Sequence, residues 1–371
     1  MGKFTLLVTQ QCNLRCSYCY IDKRNAQMSL EVAKKAIDFI FSNSPAEDYV
    51  DIGFFGGEPL LEFERIKAIT RLIKSHPASQ SRTVVLSIIS NGTVFSDEIA
   101  EFLKEEQIQY CISCDGPPEI QDTFRIFANG AASSATVEGN IRKAVEKLPL
   151  VRVNAVYHPI TFRSLPDTVA YFSALGINQI YLNPDFSADW SEEHLASLDD
   201  VYGQISQLYM DYHRAQTPRF ISLIDSKLAT ILGGGYQAKD RCQMGKKEFA
   251  FSPEGNIFPC ERLIGAGDQN AHCIGTLDKG VDFCHGCRTA AATLSINKEC
   301  QDCSLRDYCM RWCGCSNFLA TGRYDTVSRF LCASEKAAIR VAFNVFKELN
   351  ETMGSGFFKN IAAWQHPASD M

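Results

Sequence analysis

Six times in succession the chain runs from a short apolar stretch into a segment of helical period, and this alternation restricts its fold more than any other feature. The apolar stretches are residues 4–8, 50–55, 83–89, 108–114, 151–157 and 179–182. Behind the first, Ser29 is placed to cap a helix whose stripe is Val32, Ala36, Ile37 and Ile40. The second is followed by Ile66, Ile69, Leu72 and Ile73, and the later ones by helical patterns near residues 96–106, 136–147, 165–175 and 191–213. Strands that alternate with helices predict an α/β fold with a parallel sheet and helices outside it. A partial (β/α)6 TIM-like barrel is the expected closure. An open doubly wound sheet is the alternative that periodicity leaves standing, although no G-x-G-x-x-G fingerprint supports it. In a barrel the working residues sit on loops at the C-terminal ends of the strands. The polar punctuation falls at those ends: residues 12–20, 56–59, 90–93, 115–116 and 183–184.

At 371 residues the chain can bury a full core, and 46% hydrophobic with 22% charged residues is ordinary for a globular protein. A net charge of -6 with no Lys/Arg run interleaved with aromatics argues against a nucleic-acid partner, since phosphate neutralisation needs a basic surface. No apolar run approaches the roughly 20 residues that span a bilayer, and no secretory segment opens the chain. The expected location is cytoplasmic. Against that background sixteen cysteines stand out. They fall in short, metal-type spacings, which in a reducing compartment point to metal or cluster ligation over a disulfide framework.

Cys12, Cys16 and Cys19 form C-x-x-x-C-x-x-C directly after the first strand. Three thiolates hold three irons of a four-iron cluster and leave the fourth open to an outside ligand. Tyr18 and Tyr20 flank Cys19 and are placed to shield such a cluster from water. One strand–helix unit later comes Gly56-Gly57-Glu58-Pro59. Taken alone it is most simply a tight turn. It also lets backbone approach a ligand closely, with carbonyls and the Glu58 carboxylate as acceptors for an ammonium group.

The triplet followed by this loop resembles the signature of the radical S-adenosylmethionine (SAM) family. The resemblance implies that the Cys12/Cys16/Cys19 site carries a 4Fe–4S cluster chelated by SAM. It implies that Gly56, Gly57, Glu58 and Pro59 hold the methionine amino group. Ser90, Asn91 and Ser113 match, by position, polar groups that contact the ribose and carboxylate of SAM. Arg125 matches an arginine that pairs with the cofactor carboxylate, which suits bidentate geometry, although a lone Arg is commonly a solvated surface residue. Cys111 and Cys114 lie in a strand and read as small core residues.

The second half carries a new crowd of cysteines. Cys242, Gly255 and Cys260 are followed by Cys300-x-x-Cys303, then Cys309, Cys313 and Cys332, with a hairpin signal at Pro253-Glu254-Gly255. The pairs Cys284/Cys287 and Cys300/Cys303 by themselves also fit a zinc ribbon. The order of the set resembles the seven-cysteine SPASM extension of radical SAM enzymes, which implies two auxiliary 4Fe–4S clusters and three in all. Carried over by position, Cys242, Cys260 and Cys313 bind the first, and Cys300, Cys303, Cys309 and Cys332 the second. The fourth ligand of the first is left to Cys273, Cys284, Cys287 or Cys315, or to a substrate thiolate. Glu261 beside Cys260 is a candidate base, with a surface ion pair as its simpler reading.

The expected domains are a radical SAM partial barrel at 1–216, a linker or hinge at 217–241 around Gly233-Gly234-Gly235, a cysteine-rich SPASM domain at 242–335, and a closing helix and tail at 336–371. The resemblance implies reductive cleavage of SAM to a 5′-deoxyadenosyl radical, which takes hydrogen from a ribosomally made peptide so that a thioether or carbon–carbon crosslink forms. An anaerobic sulfatase-maturating, formylglycine-generating enzyme is the alternative. Against it, the sulfatase maturases have a further cysteine soon after the first SPASM cysteine, and residues 243–248 contain none. From another class, a non-catalytic zinc or electron-transfer module fits the spacings alone. The expected partners are a peptide or protein substrate and an external one-electron donor of flavodoxin or ferredoxin type. With the first strand starting near Lys3, leader recognition is expected to fall to a separate protein or to be unnecessary.

Overall fold

Strand β1 (Gly2–Thr9) is buried from Phe4 to Thr9 on both faces, as a central strand of a covered parallel sheet is, and strands pair with both of its edges. The computed structural model describes residues 2–45, 49–242, 244–265, 271–282, 297–354 and 357. The chain forms two compact units, one of Met1–Cys114, Gln121–Val151 and Cys242–Thr293, the other of Asp115–Ile120, Arg152–Arg241 and Leu294–Met371.

In the first unit β1 is followed by β2 (Val50–Gly56), β3 (Val84–Ser90) and β4 (Gln109–Ser113), all parallel. Alternation along β2 buries Val50, Ile52 and Phe54 on one face and leaves Asp51, Gly53 and Phe55 half-buried on the other. The intervening helices begin where the sequence expects them. Ser29 caps Leu30–Ser42 by accepting from the Val32 amide, and Ser96 caps Asp97–Glu105 through the Ile99 amide.

In the second unit β5 (Val151–Tyr157), β6 (Gln179–Pro184) and β7 (Phe220–Ile221) run parallel in that order. Helix Glu192–Arg214 opens on a capping box between Ser191 and His194. It packs, with helix Ser222–Leu232, against the terminal helix Arg329–Met353, whose stripe includes Ala338, Val341, Ala342, Val345 and Leu349. The α/β reading with a parallel sheet holds. No described helix is long and apolar enough to cross a membrane.

The cysteine-rich stretch departs from the expected contiguous domains. Strand β8 (Glu248–Phe251) pairs in parallel with β1, Lys3 opposite Glu248 and Leu6 opposite Phe251, so residues 242–293 belong to the first unit and 294–335 to the second. The hairpin expected at residues 253–255 joins β8 to β9 (Asn256–Phe258), with Gly255 at φ +86° in its turn. Strands β10 (Gly275–Thr276) and β11 (Gly280–Val281) extend it. Residues 217–241 also differ from the expected linker. They form β7 and helix Ser222–Leu232, because Ile221, Ile224 and Leu228 bury one stripe before the glycines end it. Helix Pro118–Phe124 is a further element that periodicity does not disclose.

Candidate active site

The loops that leave β1, β2 and β3 at their C-terminal ends meet at the cysteine triplet. The amide of Gly57 donates to the Thr9 carbonyl at 2.9 Å, and that of Glu58 to the Gln11 carbonyl at 2.8 Å. Backbone lies against backbone here, which explains both glycines. Gly56 sits at φ +139°, and a Cβ on it would stand 2.0 Å from the Thr9 carbonyl oxygen. A Cβ on Gly57 would stand 2.0 Å from the Gln11 oxygen. Gly57→Ala is expected to destabilise the protein by about 1–3 kcal/mol, since the obstacle is main chain and cannot rotate away. A lowered thermal midpoint checks this, with Gly203→Ala, where nothing lies within 4 Å, as the control.

Glu58 is fully buried, and both of its oxygens are engaged inside the protein. Oε1 accepts from the Leu60 amide and the Ser90 hydroxyl, each at 2.9 Å, and Oε2 from the Asn91 amide at 2.6 Å. Burial lifts its carboxyl to about 7 against the opposing pull of these donors. The carboxylate expected to meet an ammonium group thus ties the β2 loop to the end of β3. Asn91 continues the network toward the triplet. Its Nδ2 donates to Asn13 Oδ1 at 2.8 Å and lies 3.7 Å from the Cys12 sulfur, which also accepts from the Leu14 amide at 3.4 Å. Ser113 ends β4 half-buried, and Pro59 opens the turn of helix after Glu58.

A second support was not visible in the sequence. Residues 124–128 run alongside the cysteine loop: Ser17 N donates to Phe124 O, Arg15 N to Ile126 O and Ala128 N to Asn13 O, at 2.8–3.1 Å. This places Arg125, 6% exposed, over the loop, where Nη1 donates to the Tyr18 hydroxyl at 2.7 Å. The aromatics flanking Cys19 have aromatic partners, Tyr18 with Phe124 and Tyr20 stacked on Phe55. Leu7, Ile21, Ala250, Phe258 and Ile264 form an apolar cluster against which Cys19, Tyr20 and Cys273 pack. The stretch after Cys260 therefore lies on the cysteine loop, and Gly265 is close enough that a Cβ would meet the Tyr20 oxygen at 2.4 Å.

Glu261 is 22% exposed and is held by β1, with Thr5 donating at 2.8 Å and Lys3 Nζ at 3.3 Å. Burial would raise its carboxyl, but the Lys3 charge and the Thr5 hydroxyl outweigh burial and leave it below the usual value. It is an ionised carboxylate in a partly buried ion pair. Cys242 and Cys260 are half-buried in the same unit. Cys313 belongs to the second unit, its sulfur 3.5 Å from that of Cys315 and 3.2 Å from the Ser316 hydroxyl. Cys300, Cys303, Cys309 and Cys332, spread over 33 positions of sequence, line one cavity in that unit. Cys273 donates to the Gly275 carbonyl, and Cys284 and Cys287 lie outside the described residues.

Among the described residues the cysteines form no disulfide. Among those residues no three Cys, His, Asp or Glu side chains already stand as a closed metal-ligand set. The donor chemistry nevertheless fits iron–sulfur ligation: three half-buried thiols on one loop, N–H groups aimed at the Cys12 sulfur, and aromatic cover. Burial pushes the Cys12 thiol above its usual value, so its thiolate needs positive charge beside it, which iron supplies.

Residues 6–172 match the Radical SAM superfamily. An uncharacterized protein of Methanocaldococcus jannaschii is 32% identical over 75% of this chain and 89% of its own. The cysteine-type anaerobic sulfatase-maturating enzyme of Clostridium novyi is 27% identical over 69% of this chain and 72% of its own. The radical SAM cyclopropyl synthase TigE of Paramaledivibacter caminithermalis is 24% identical over 83% of this chain and 66% of its own. Among solved structures, anSMEcpe with bound AdoMet and Cp18Cys peptide shares the fold at TM-score 0.78 and 18% identity, over 95% of this chain and all of the other. The chain belongs to the radical SAM superfamily. It is a radical SAM enzyme with a SPASM-type extension, and its family implies a 4Fe–4S cluster and SAM as cofactors.

Proposed function

We propose that this enzyme takes hydrogen from a ribosomally made peptide and installs a thioether or carbon–carbon crosslink. The observation that carries the radical chemistry is the junction of loops in which Gly56 and Gly57 lie under the Cys12/Cys16/Cys19 loop and Asn91 reaches the Cys12 sulfur. When bound, the cluster and SAM supply one-electron cleavage of SAM to methionine and a 5′-deoxyadenosyl radical. The three cysteines would hold the cluster. Carbonyls of the Gly56–Pro59 loop would accept from the methionine ammonium, with Glu58 fixing that loop from behind. Ser90, Asn91 and Ser113 would face ribose and carboxylate, and Arg125 would pair with the carboxylate. The Tyr18–Phe124 and Tyr20–Phe55 pairs would keep water from the site.

In the extension, Cys242, Cys260 and Cys313 would hold one auxiliary cluster and Cys300, Cys303, Cys309 and Cys332 another, for three in all. Glu261, the candidate base beside Cys260, is held by Lys3 and Thr5 in an ion pair that weakens it as a proton acceptor. If none of Cys273, Cys284, Cys287 and Cys315 completes the first site, its remaining iron would be open to a substrate sulfur, which suits thioether formation. An external one-electron donor of flavodoxin or ferredoxin type completes the reading.

Sulfatase maturation is the second reading, supported by the Clostridium novyi relative, whose sequence aligns over most of both chains. The two differ in product. Anaerobic reaction with SAM, reductant and a short cysteine-containing precursor peptide is expected to give a product lighter by two hydrogens and unreactive toward hydrazide. A hydrazide-reactive aldehyde on a sulfatase-derived cysteine peptide, with no crosslink on the first, establishes the second reading instead. A reconstituted protein that takes up zinc and little iron excludes both.

A further inference from the structure

Beside the four-thiol cavity of the second unit lies a buried ion pair that the reaction scheme leaves unused. Lys227, on helix Ser222–Leu232, places Nζ 2.6 Å from Oε2 of Glu335, on the terminal helix, with side chains only 7% and 9% exposed. The same ammonium donates to the Tyr308 carbonyl at 3.4 Å, and the same carboxylate oxygen accepts from the Met310 amide. The pair thereby grips the backbone on both sides of Cys309. Glu335 follows Cys332 by three positions, hence on the same helix face, and lines the cavity with Cys300, Cys303, Cys309 and Cys332.

Folding alone gives little reason for such a pair. Removing two charges from water costs about as much as their attraction returns, and apolar residues of equal volume commonly serve stability as well or better. Its placement supplies the reason. We propose that Lys227 and Glu335 are a positioning pair for the four-thiol site, fixing the backbone that presents Cys309 and balancing the charge beside whatever group the thiols hold.

This rests on the reading of the four thiols as ligands of an auxiliary cluster. Reduction potentials of such clusters follow the local charge and the hydrogen bonds around the sulfurs. An intact pair is neutral. Glu335→Gln keeps an acceptor for the Met310 amide but leaves the Lys227 ammonium uncompensated in a poorly screened interior, which favours the more reduced cluster.

The test uses anaerobically reconstituted full-length protein, iron counting and reductive titration followed by electron paramagnetic resonance. A Cys300→Ala/Cys303→Ala variant identifies the signal of this site. If that variant loses no iron, the cluster reading fails, and the proposal with it. With the signal located, E335Q is expected to keep its iron and shift the midpoint of that signal to more positive potential. The K227Q/E335Q double variant is expected to return it toward the wild-type value. An E335Q protein with full iron and an unmoved midpoint overturns the proposal and leaves the pair a packing feature. Should E335Q not fold, K227Q decides, since it leaves the Glu335 carboxylate uncompensated instead. A midpoint moved to more negative potential supports the proposal, and an unmoved one overturns it.

Discussion

An enzyme in which Cys12, Cys16 and Cys19 are all alanine is expected to release no 5′-deoxyadenosine above background while keeping about eight of the about twelve irons that three four-iron clusters contain. The expectation of complete loss follows from the geometry of the loop. The three thiols are presented by one short segment, with hydrogen-bond donors turned toward Cys12 and an aromatic pair on either side of Cys19. The loop itself should survive, because its path is set by main-chain bonds from Arg15, Ser17 and Ala128 and by the Gly57 and Glu58 amides, none of which involves a thiol. Four of those irons should survive because Cys300, Cys303, Cys309 and Cys332 lie in the other compact unit, and the four assigned to Cys242, Cys260 and Cys313 because their ligand set includes no thiol of the triplet. Deoxyadenosine formed at the wild-type rate by a folded variant would remove the triplet from its assigned role. Loss of all iron with the fold intact would show that the triplet and the distal sites do not load independently.

The parallel strands were legible because their apolar runs are bounded by turn residues and separated by helices with clean N-caps at Ser29, Ser96 and Ser191. These are local signals, and local signals survive folding. The β8–β9 hairpin was legible for the same reason. What joins the elements was not. Glu58 in a Gly-Gly-Glu-Pro run looks like a free acceptor until β3 brings Ser90 and Asn91 to it. Glu261 finds Lys3 and Thr5 across more than 250 positions because β8 pairs with β1, and no periodicity announces that pairing. The ladder from residues 124–128 to the cysteine loop is likewise long-range. Helix Ser222–Leu232 was obscured by the three glycines that follow it, although Ile221, Ile224 and Leu228 carried helical spacing. The distal thiols are a different case: the resemblance to the SPASM extension implied Cys300, Cys303, Cys309 and Cys332 as one set, where spacing alone also fitted zinc, and all four line one cavity.

Glu58→Ala is expected to cost on the order of 3–5 kcal/mol, because it strands the buried Asn91 and Leu60 amides and one partner of Ser90. Urea unfolding of the metal-free protein measures it. Retained stability would mean that the three donors find other partners and that Glu58 does not hold the β2 loop to β3. Glu58→Gln separates shape from charge. A carboxyl raised from 4.5 to about 7 in the fold binds its proton more tightly folded than unfolded. Its protonated form therefore stabilises the fold below the unfolded value, and that contribution is lost as pH rises toward about 7. Glutamine cannot titrate, so the gap between wild type and Glu58→Gln should be widest near the unfolded carboxyl value and narrow as pH rises through neutrality. A gap that widens instead would mean the carboxylate is favoured in its charged form, as a group waiting for a cation would be. In that event Glu58 would return to the role of acceptor for the methionine ammonium, and the strap between β2 and β3 would be secondary to it.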